Sequence, residues 1–260
     1  MRLKDQSVLI TGAGGTLGRA AAMLFAAEGA RLTLVDLEAP EAVAAAVAGG
    51  GTAVAIGAAD VAREADCAAM VALAERAHGR LDVLFNNAGI CLADDAGPLE
   101  TPLAVWEKTI AVNLTGVFLG CRAGIPALLR AGGGVIVNMA SMVAFLGSAT
   151  PQIAYTASKG GVVALTQEIA AVYARRGIRA NALCPGPVAT DLIRHLYDDP
   201  EKRERRRVHQ PMGRLARPDE IARAALFLAG EDSSHMTGQS LLVDGGITRA
   251  YTTPLDGEDA

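Results

Sequence analysis

Tyr155 and Lys159 stand four residues apart in Tyr155-Thr156-Ala157-Ser158-Lys159. On a helix that spacing puts a phenol and an ammonium on one face. A nearby cation favours the phenolate and lowers a tyrosine pKa from its ordinary value of about 10. Reaching about 7 takes roughly 4 kcal/mol of differential interaction, at about 1.4 kcal/mol per unit. A phenol tuned in this way gives and takes a proton in alcohol and ketone chemistry near neutral pH. Average residue usage produces the same pair about once in every few hundred residues, so its meaning rests on what the chain places around it.

A second group of residues handles phosphate. Thr11-Gly12-Ala13-Gly14-Gly15-Thr16-Leu17-Gly18 follows an apolar run and opens a helical one. Glycines in that position let the backbone turn tightly and approach a pyrophosphate, which sits on the free N–H groups of a helix start. Gly12, Thr16, Leu17 and Gly18 are the candidate contacts. The GxGxxG pattern is not met, because Leu17 occupies its final glycine position. Asp36 lies 18 residues beyond Gly18, at the end of the next apolar run. There a carboxylate accepts hydrogen bonds from adenosine ribose hydroxyls and repels a 2′-phosphate. Neither Gly15 nor Leu37 is basic, so the expected cofactor is NAD rather than NADP.

Elements that would carry these groups alternate along the chain. Strand-like runs cover 7–10, 31–36, 54–56, 83–85, 135–137, 179–183 and 241–243. Helical patterns cover 17–28, 40–48, 63–78, 102–130, 152–175 and 218–229; in the first, Leu17, Ala20, Ala21, Leu24 and Phe25 recur near a 3.6-residue period. Strands alternating with helices imply βαβ units and a parallel sheet covered on both faces. Near-continuous apolar strands suit such a sheet.

Composition excludes several classes. The 260 residues are 51% hydrophobic and 20% charged, a globular balance in a chain long enough for a sizeable core. A net charge of −4 gives no general field for nucleic acid or an anionic membrane. No apolar run of spanning length is free of charges or glycines, and the N-terminus lacks a leader's apolar stretch, so a cytoplasmic protein is expected. Cys67, Cys91, Cys121 and Cys184 form no CxxC pair and the four histidines are scattered, so no metal site is expected.

The glycine turn, Asp36, Asn86-Asn87-Ala88-Gly89, Ser141, the Tyr155/Lys159 pair and Pro185-Gly186 stand in one order on one βαβ framework. In this the chain resembles the short-chain dehydrogenase/reductase family from about residue 3 to Gly246. The resemblance implies a single Rossmann-like doubly wound domain over 1–260, with a seven-stranded parallel sheet and helices on both faces. It implies that Tyr155 is the general acid/base, and that Lys159 lowers its pKa and binds the nicotinamide ribose. Ser141 would hydrogen-bond the reacting oxygen, and Asn113 would hold a water that links Lys159 to solvent. Asn87 and Gly89 would line the cofactor groove, Asp60 and Val61 the adenine, and Val188 and Thr190 the carboxamide and phosphate end. It also implies a homotetramer built through helices 102–130 and 152–175.

The chain departs from the family pattern at Thr16, where glycine is usual, and in a Ser141-to-Tyr155 spacing about one residue longer than in many members. Segment 190–213 breaks the rhythm and carries a basic run at 202–207. It reads as an exposed short helix with acids first and bases last, inserted where a substrate lid would sit. The tail, 247–260, either packs on a neighbouring subunit or is disordered. The expected reaction is NAD-linked interconversion of a secondary alcohol and a ketone. Its rivals are an NADPH-dependent 3-oxoacyl thioester reductase, opposed by Asp36, and a non-catalytic dinucleotide sensor, which would not need the Tyr/Ser/Lys set. Candidate pocket positions are Cys91, Leu92, Met142, Val143, Phe145, Gln152, Pro187, Leu192 and His195, mostly apolar.

Overall fold

The computed structural model describes residues 1–148, 150–190, 199–250 and 252. All seven expected strands form: β1 (Ser7–Thr11), β2 (Arg31–Asp36), β3 (Val54–Ala58), β4 (Val83–Asn86), β5 (Gly134–Met139), β6 (Ile178–Pro185) and β7 (Ser240–Val243). They make one parallel sheet in the order β3-β2-β1-β4-β5-β6-β7. The order reverses between β1 and β4, whose register pairs Ile10 with Phe85. In open sheets of this type the crevice beyond the strands' carboxyl ends at that reversal is the ligand site.

Side-chain alternation splits the core into two layers. Val8 and Ile10 join Phe25, Leu34, Phe85, Val137 and Leu226 on one face, while Leu9 joins Leu84, Ile136, Leu128, Val162 and Ile178 on the other. The first face is covered by α1 (Thr16–Ala27), α2 (Glu41–Ala48) and α8 (Pro218–Ala229), the second by α3 (Glu64–His78), α5 (Gly116–Arg130) and α6 (Ile153–Tyr173). Phe25 and Phe85 are fully buried with ring centroids 6.2 Å apart, each stabilising the fold by about 2–3 kcal/mol through lost water contact.

Two helices differ from the sequence reading. The stretch expected as one helix over 102–130 runs as α4 (Leu103–Ile110), a π-helical turn at Ala111–Thr115, and α5. Its best window has a mean hydropathy of 1.4, apolar enough by length and composition to cross a bilayer, but 56% of that window is buried inside the protein. The stretch expected over 152–175 ends as α6 followed by a 3₁₀ turn at Ala174–Arg176, which Gly177 terminates at φ +78°. Leu103, Phe118 and Val172 lie exposed on α4, α5 and α6, the helices on which the tetramer expectation rests.

The basic run forms α7 (Pro200–Arg207), as the exposed-helix reading expected. Arg207 pairs with Glu204 at 2.7 Å, and Arg206 donates to Thr150 Oγ1 at 3.0 Å, tying α7 to the loop before α6. In the tail, Thr252 donates to the Val208 carbonyl at 2.7 Å, so this position packs on its own chain. Residues 191–198, 251 and 253–260 lie outside the described residues, and with them the first part of the expected lid and most of the expected tail.

Candidate active site

Every sequence-predicted site residue falls at or beyond the carboxyl end of a strand or on the helices that follow. The turn after β1 requires its glycines. Gly12 has φ +64°, and a Cβ there would stand 2.8 Å from Ala88 Cα; a Cβ on Gly18 would collide with the Gly12 carbonyl. α1 then starts at Thr16 with no side-chain cap and no acid in its first turn. Its leading N–H groups and positive dipole end therefore face the crevice without an internal anion, which fits a pyrophosphate. Thr16 and Leu17 are half-buried there.

Asp36, at the end of β2, does more than the sequence implied. Its Oδ2 accepts from Gly14 N–H at 2.9 Å and its Oδ1 from Leu37 N–H at 2.8 Å. The carboxylate thus braces the glycine turn, with acceptor capacity left for a ribose. Asn87 braces the turn from the other side: its Nδ2 donates to the Thr11 and Gly12 carbonyls at 2.9 and 3.1 Å, and its N–H donates to Thr11 Oγ1. Asp60 follows β3 and accepts from Ala62 N–H at 2.9 Å; Val61 abuts Gly116, whose Cβ would stand 2.9 Å from Val61 Cγ2.

Beyond β6, Val188 forms an isolated parallel bridge with Ala216, and Thr190 is half-buried. Val188 belongs to the core layer with Met139, Leu183 and Ile221. Its side chain is committed inward.

The reacting end gathers on α6 and the loops facing it. Ser141 follows β5, is buried, and accepts from Val143 N–H at 3.4 Å as it caps the 3₁₀ turn Met142–Ala144. Lys159 is 2% exposed. Its Nζ donates to the Met139 carbonyl at 2.7 Å and stands 5.5 Å from the Tyr155 ring centre. Asn113 is fully buried on the π turn. Its Oδ1 accepts from Ile90 N–H and its Nδ2 donates to the Ile90 carbonyl, both at 2.8 Å, and to Ser158 Oγ at 3.2 Å. A π turn is where a helix yields its regular ladder to a functional side chain. Gly89 passes between these groups: a Cβ there would lie 3.3 Å from Lys159 Nζ and 3.4 Å from Asn113 Oδ1.

The electrostatics correct one expectation. The Tyr155 phenol is not lowered by its neighbour; it is pushed up to about 12, chiefly by lost solvation and then by the Cys91 thiolate, with a Ser141 hydrogen bond pulling it partly back. Burial draws the Lys159 ammonium down to about 8. Loss of water outweighs a cation that faces the Met139 carbonyl. With these atoms alone the site holds a neutral phenol and, at pH 7, a mostly protonated ammonium.

Sequence reasoning missed Asp95. This buried carboxylate accepts from Ala154 N–H at 3.0 Å and Tyr155 N–H at 2.8 Å. Of the pocket positions, Cys91 Sγ lies 4.0 Å from Gln152 Oε1. Phe145 is exposed and Val143 buried, and Leu192 and His195 lie outside the described residues.

A glycine-braced crevice at the sheet's reversal, with Tyr, Lys, Ser and Asn drawn together beside it, defines a dinucleotide-linked oxidoreductase site. A family model described as enoyl-(acyl carrier protein) reductase matches residues 12–248. The chain is 39% identical to 2-(S)-hydroxypropyl-CoM dehydrogenase 3 of Xanthobacter autotrophicus, over 95% of this chain and 98% of that one. It is 43% identical to a galactitol 2-dehydrogenase (L-tagatose-forming) of Cereibacter sphaeroides, over 95% and 96%. Among solved structures, levodione reductase superposes with a TM-score of 0.90 at 38% identity, over 96% of this chain and all of that one. The chain belongs to the short-chain dehydrogenase/reductase family. It is an oxidoreductase acting on CH–OH groups, with the NAD(P) nucleotide that the family implies.

Proposed function

We propose that this protein is an NAD-dependent dehydrogenase that interconverts a secondary alcohol and a ketone, with Tyr155 as general acid/base. One observation carries the reading: a nearly fully buried Lys159 beside the Tyr155 ring on α6, within reach of Ser141 and the Asn113 turn. A buried ammonium is costly to hold, and this one stands beside the phenol it would serve. Bound nicotinamide supplies the acceptor for the carbinol hydride. Tyr155 takes the hydroxyl proton in oxidation and returns it in reduction, so charge and protons balance. Ser141 holds the reacting oxygen against the phenol and shares its developing charge. Lys159 favours the phenolate and turns to the nicotinamide ribose, while Asn113 holds a water that carries the proton on. Gly12, Thr16, Leu17 and Gly18 hold the pyrophosphate, Asp60 and Val61 the adenine, Asn87 and Gly89 the groove wall, and Val188 and Thr190 the carboxamide end. Residues 1–260 act as one unit, with 190–213 as the substrate cover.

Asp36 supports NAD over NADP, since a carboxylate at the end of β2 beside the glycine turn accepts from ribose hydroxyls and repels a 2′-phosphate. Asp36→Ala is expected to shift the NAD:NADP ratio of kcat/KM toward NADP by about tenfold, equivalent to ~1.4 kcal/mol. It should also weaken NAD, because the Gly14 N–H loses its acceptor. An unchanged ratio would show that another group sets the preference.

A second reading, an NADPH-dependent 3-oxoacyl thioester reductase, shares its acyl-thioester substrate class with the description of the matching family model and is opposed by Asp36. An initial-rate screen tests both: aliphatic and cyclic secondary alcohols, polyols, aldoses and hydroxyacyl thioesters, each with NAD and with NADP. The proposal expects turnover of a secondary alcohol with NAD. Turnover confined to thioesters with NADP would replace it by the second reading.

A further inference from the structure

We propose that Asp95 is a positioning residue that sets the place of the catalytic tyrosine through the main chain; this rests on Tyr155 as the acid/base. α6 has no cap of its own. Gln152 precedes it without a side-chain cap bond, and its first turn holds no acid. The anchor comes instead from a loop about sixty residues upstream. Asp95 is 5% exposed, and its two carboxylate oxygens are divided between the Ala154 and Tyr155 N–H groups, at 3.0 and 2.8 Å. Ala96 adds its carbonyl to Ile153 N–H at 3.1 Å, and its own N–H is held by Thr101 Oγ1 at 2.9 Å. A carboxylate that accepts two main-chain N–H groups at a helix start is a strong, directional tether.

The same loop also holds the other half of the site. Asn87 grips the Thr11 and Gly12 carbonyls of the dinucleotide turn, and Ile90 is clamped in both directions by Asn113. Residues 87–96 therefore join the phosphate turn, the π turn and the catalytic helix. The tether ends on the peptide N–H of Tyr155 itself, two side-chain torsions from the ring. Displacements of about 1 Å at a reacting group cost on the order of 100-fold in rate. A cap that served only helix stability would affect turnover only through the folded fraction.

Asp95→Asn and Asp95→Ala separate the two roles. Both would be compared with wild type and Tyr155→Phe for kcat, alcohol KM, NADH Kd by fluorescence, and melting temperature, with kcat taken well below the melt. The expected result is a graded loss of kcat, about 10- to 100-fold in Asp95→Ala and less in Asp95→Asn, whose single amide oxygen keeps one of the two bonds. NADH Kd should stay within about twofold. If Asp95→Ala does not fold, Asp95→Asn decides alone. A kcat within twofold of wild type, or a loss matched by the folded fraction, overturns the proposal. Should Tyr155→Phe silence turnover while both Asp95 variants keep it, the positioning role alone falls; should Tyr155→Phe keep turnover, the acid/base reading falls first.

Discussion

Tyr155→Phe should lower kcat by about 10²- to 10⁴-fold, the range for removal of a general acid/base, while NADH binding stays near that of wild type. Phenylalanine fills the same volume and keeps the helix packing, so the change isolates the hydroxyl. The energetics show what that hydroxyl requires. Burial holds the phenol at about 12, so a drop to about 7 takes roughly 7 kcal/mol, not the roughly 4 kcal/mol reckoned from an exposed tyrosine. Lys159, 5.5 Å from the ring centre, does not offset that burial. The stabilisation has to enter with the positive charge and hydrogen bonds of the bound ligands. In the reducing direction the protonated phenol is already the correct form. In the oxidising direction rate should rise with pH while Lys159 keeps its proton, and bend over above pH about 8, where that ammonium titrates. Stopped-flow and steady-state rates from pH 6 to 10 read this profile. A Tyr155→Phe enzyme that keeps wild-type turnover would remove Tyr155 from the chemistry.

The sheet was legible in the sequence because its strands are buried on both faces. Runs such as Val8-Leu9-Ile10 and Val83-Leu84-Phe85 have nowhere else to go, and the glycine turn and Asp36 stand at fixed offsets from them. What escaped the sequence depends on contacts far apart along the chain. The Asn113 side chain on the π turn is held by Ile90, and nothing local in Val112-Asn113-Leu114 announces it. Asp95 lies in a polar loop beside Asp94, and only the fold distinguishes the carboxylate that caps α6 from its neighbour. The Tyr155/Lys159 spacing was read correctly as one helix face, yet the sign of the phenol's shift was not. Spacing reports that a cation is near, but it cannot report how much water both groups lose. For Val188, motif position located the backbone, and only the packing shows that its side chain lies in the core.

Loss of water at Lys159 carries the second large expectation: Lys159→Met should cost the enzyme its turnover and make the fold more stable. Methionine has a similar length and fills the same channel. The shift from 10.5 to about 8 corresponds to a burial penalty of about 3 kcal/mol at neutral pH. Against this stands the lost bond to the Met139 carbonyl, whose removal costs about 1–3 kcal/mol. A net gain of up to about 2 kcal/mol is expected at pH 7, or up to roughly 8 °C in melting temperature for a chain of this size. The sign follows from proton counts. Unfolded lysine holds its proton up to pH 10.5 and the folded residue only up to about 8. Between those values the unfolded state binds more protons, so wild-type stability climbs with pH. The variant's advantage is therefore full below pH 8 and fades by about 10.5. Oxidation should slow by about 100-fold, the low end of the range for loss of a group that serves proton transfer. Chemical denaturation of both proteins from pH 7 to 10.5 decides the matter. A variant less stable than wild type at pH 7, or an advantage that does not shrink with pH, would mean that the Lys159 ammonium is not held against its solvation, and that the site stores no such strain for catalysis.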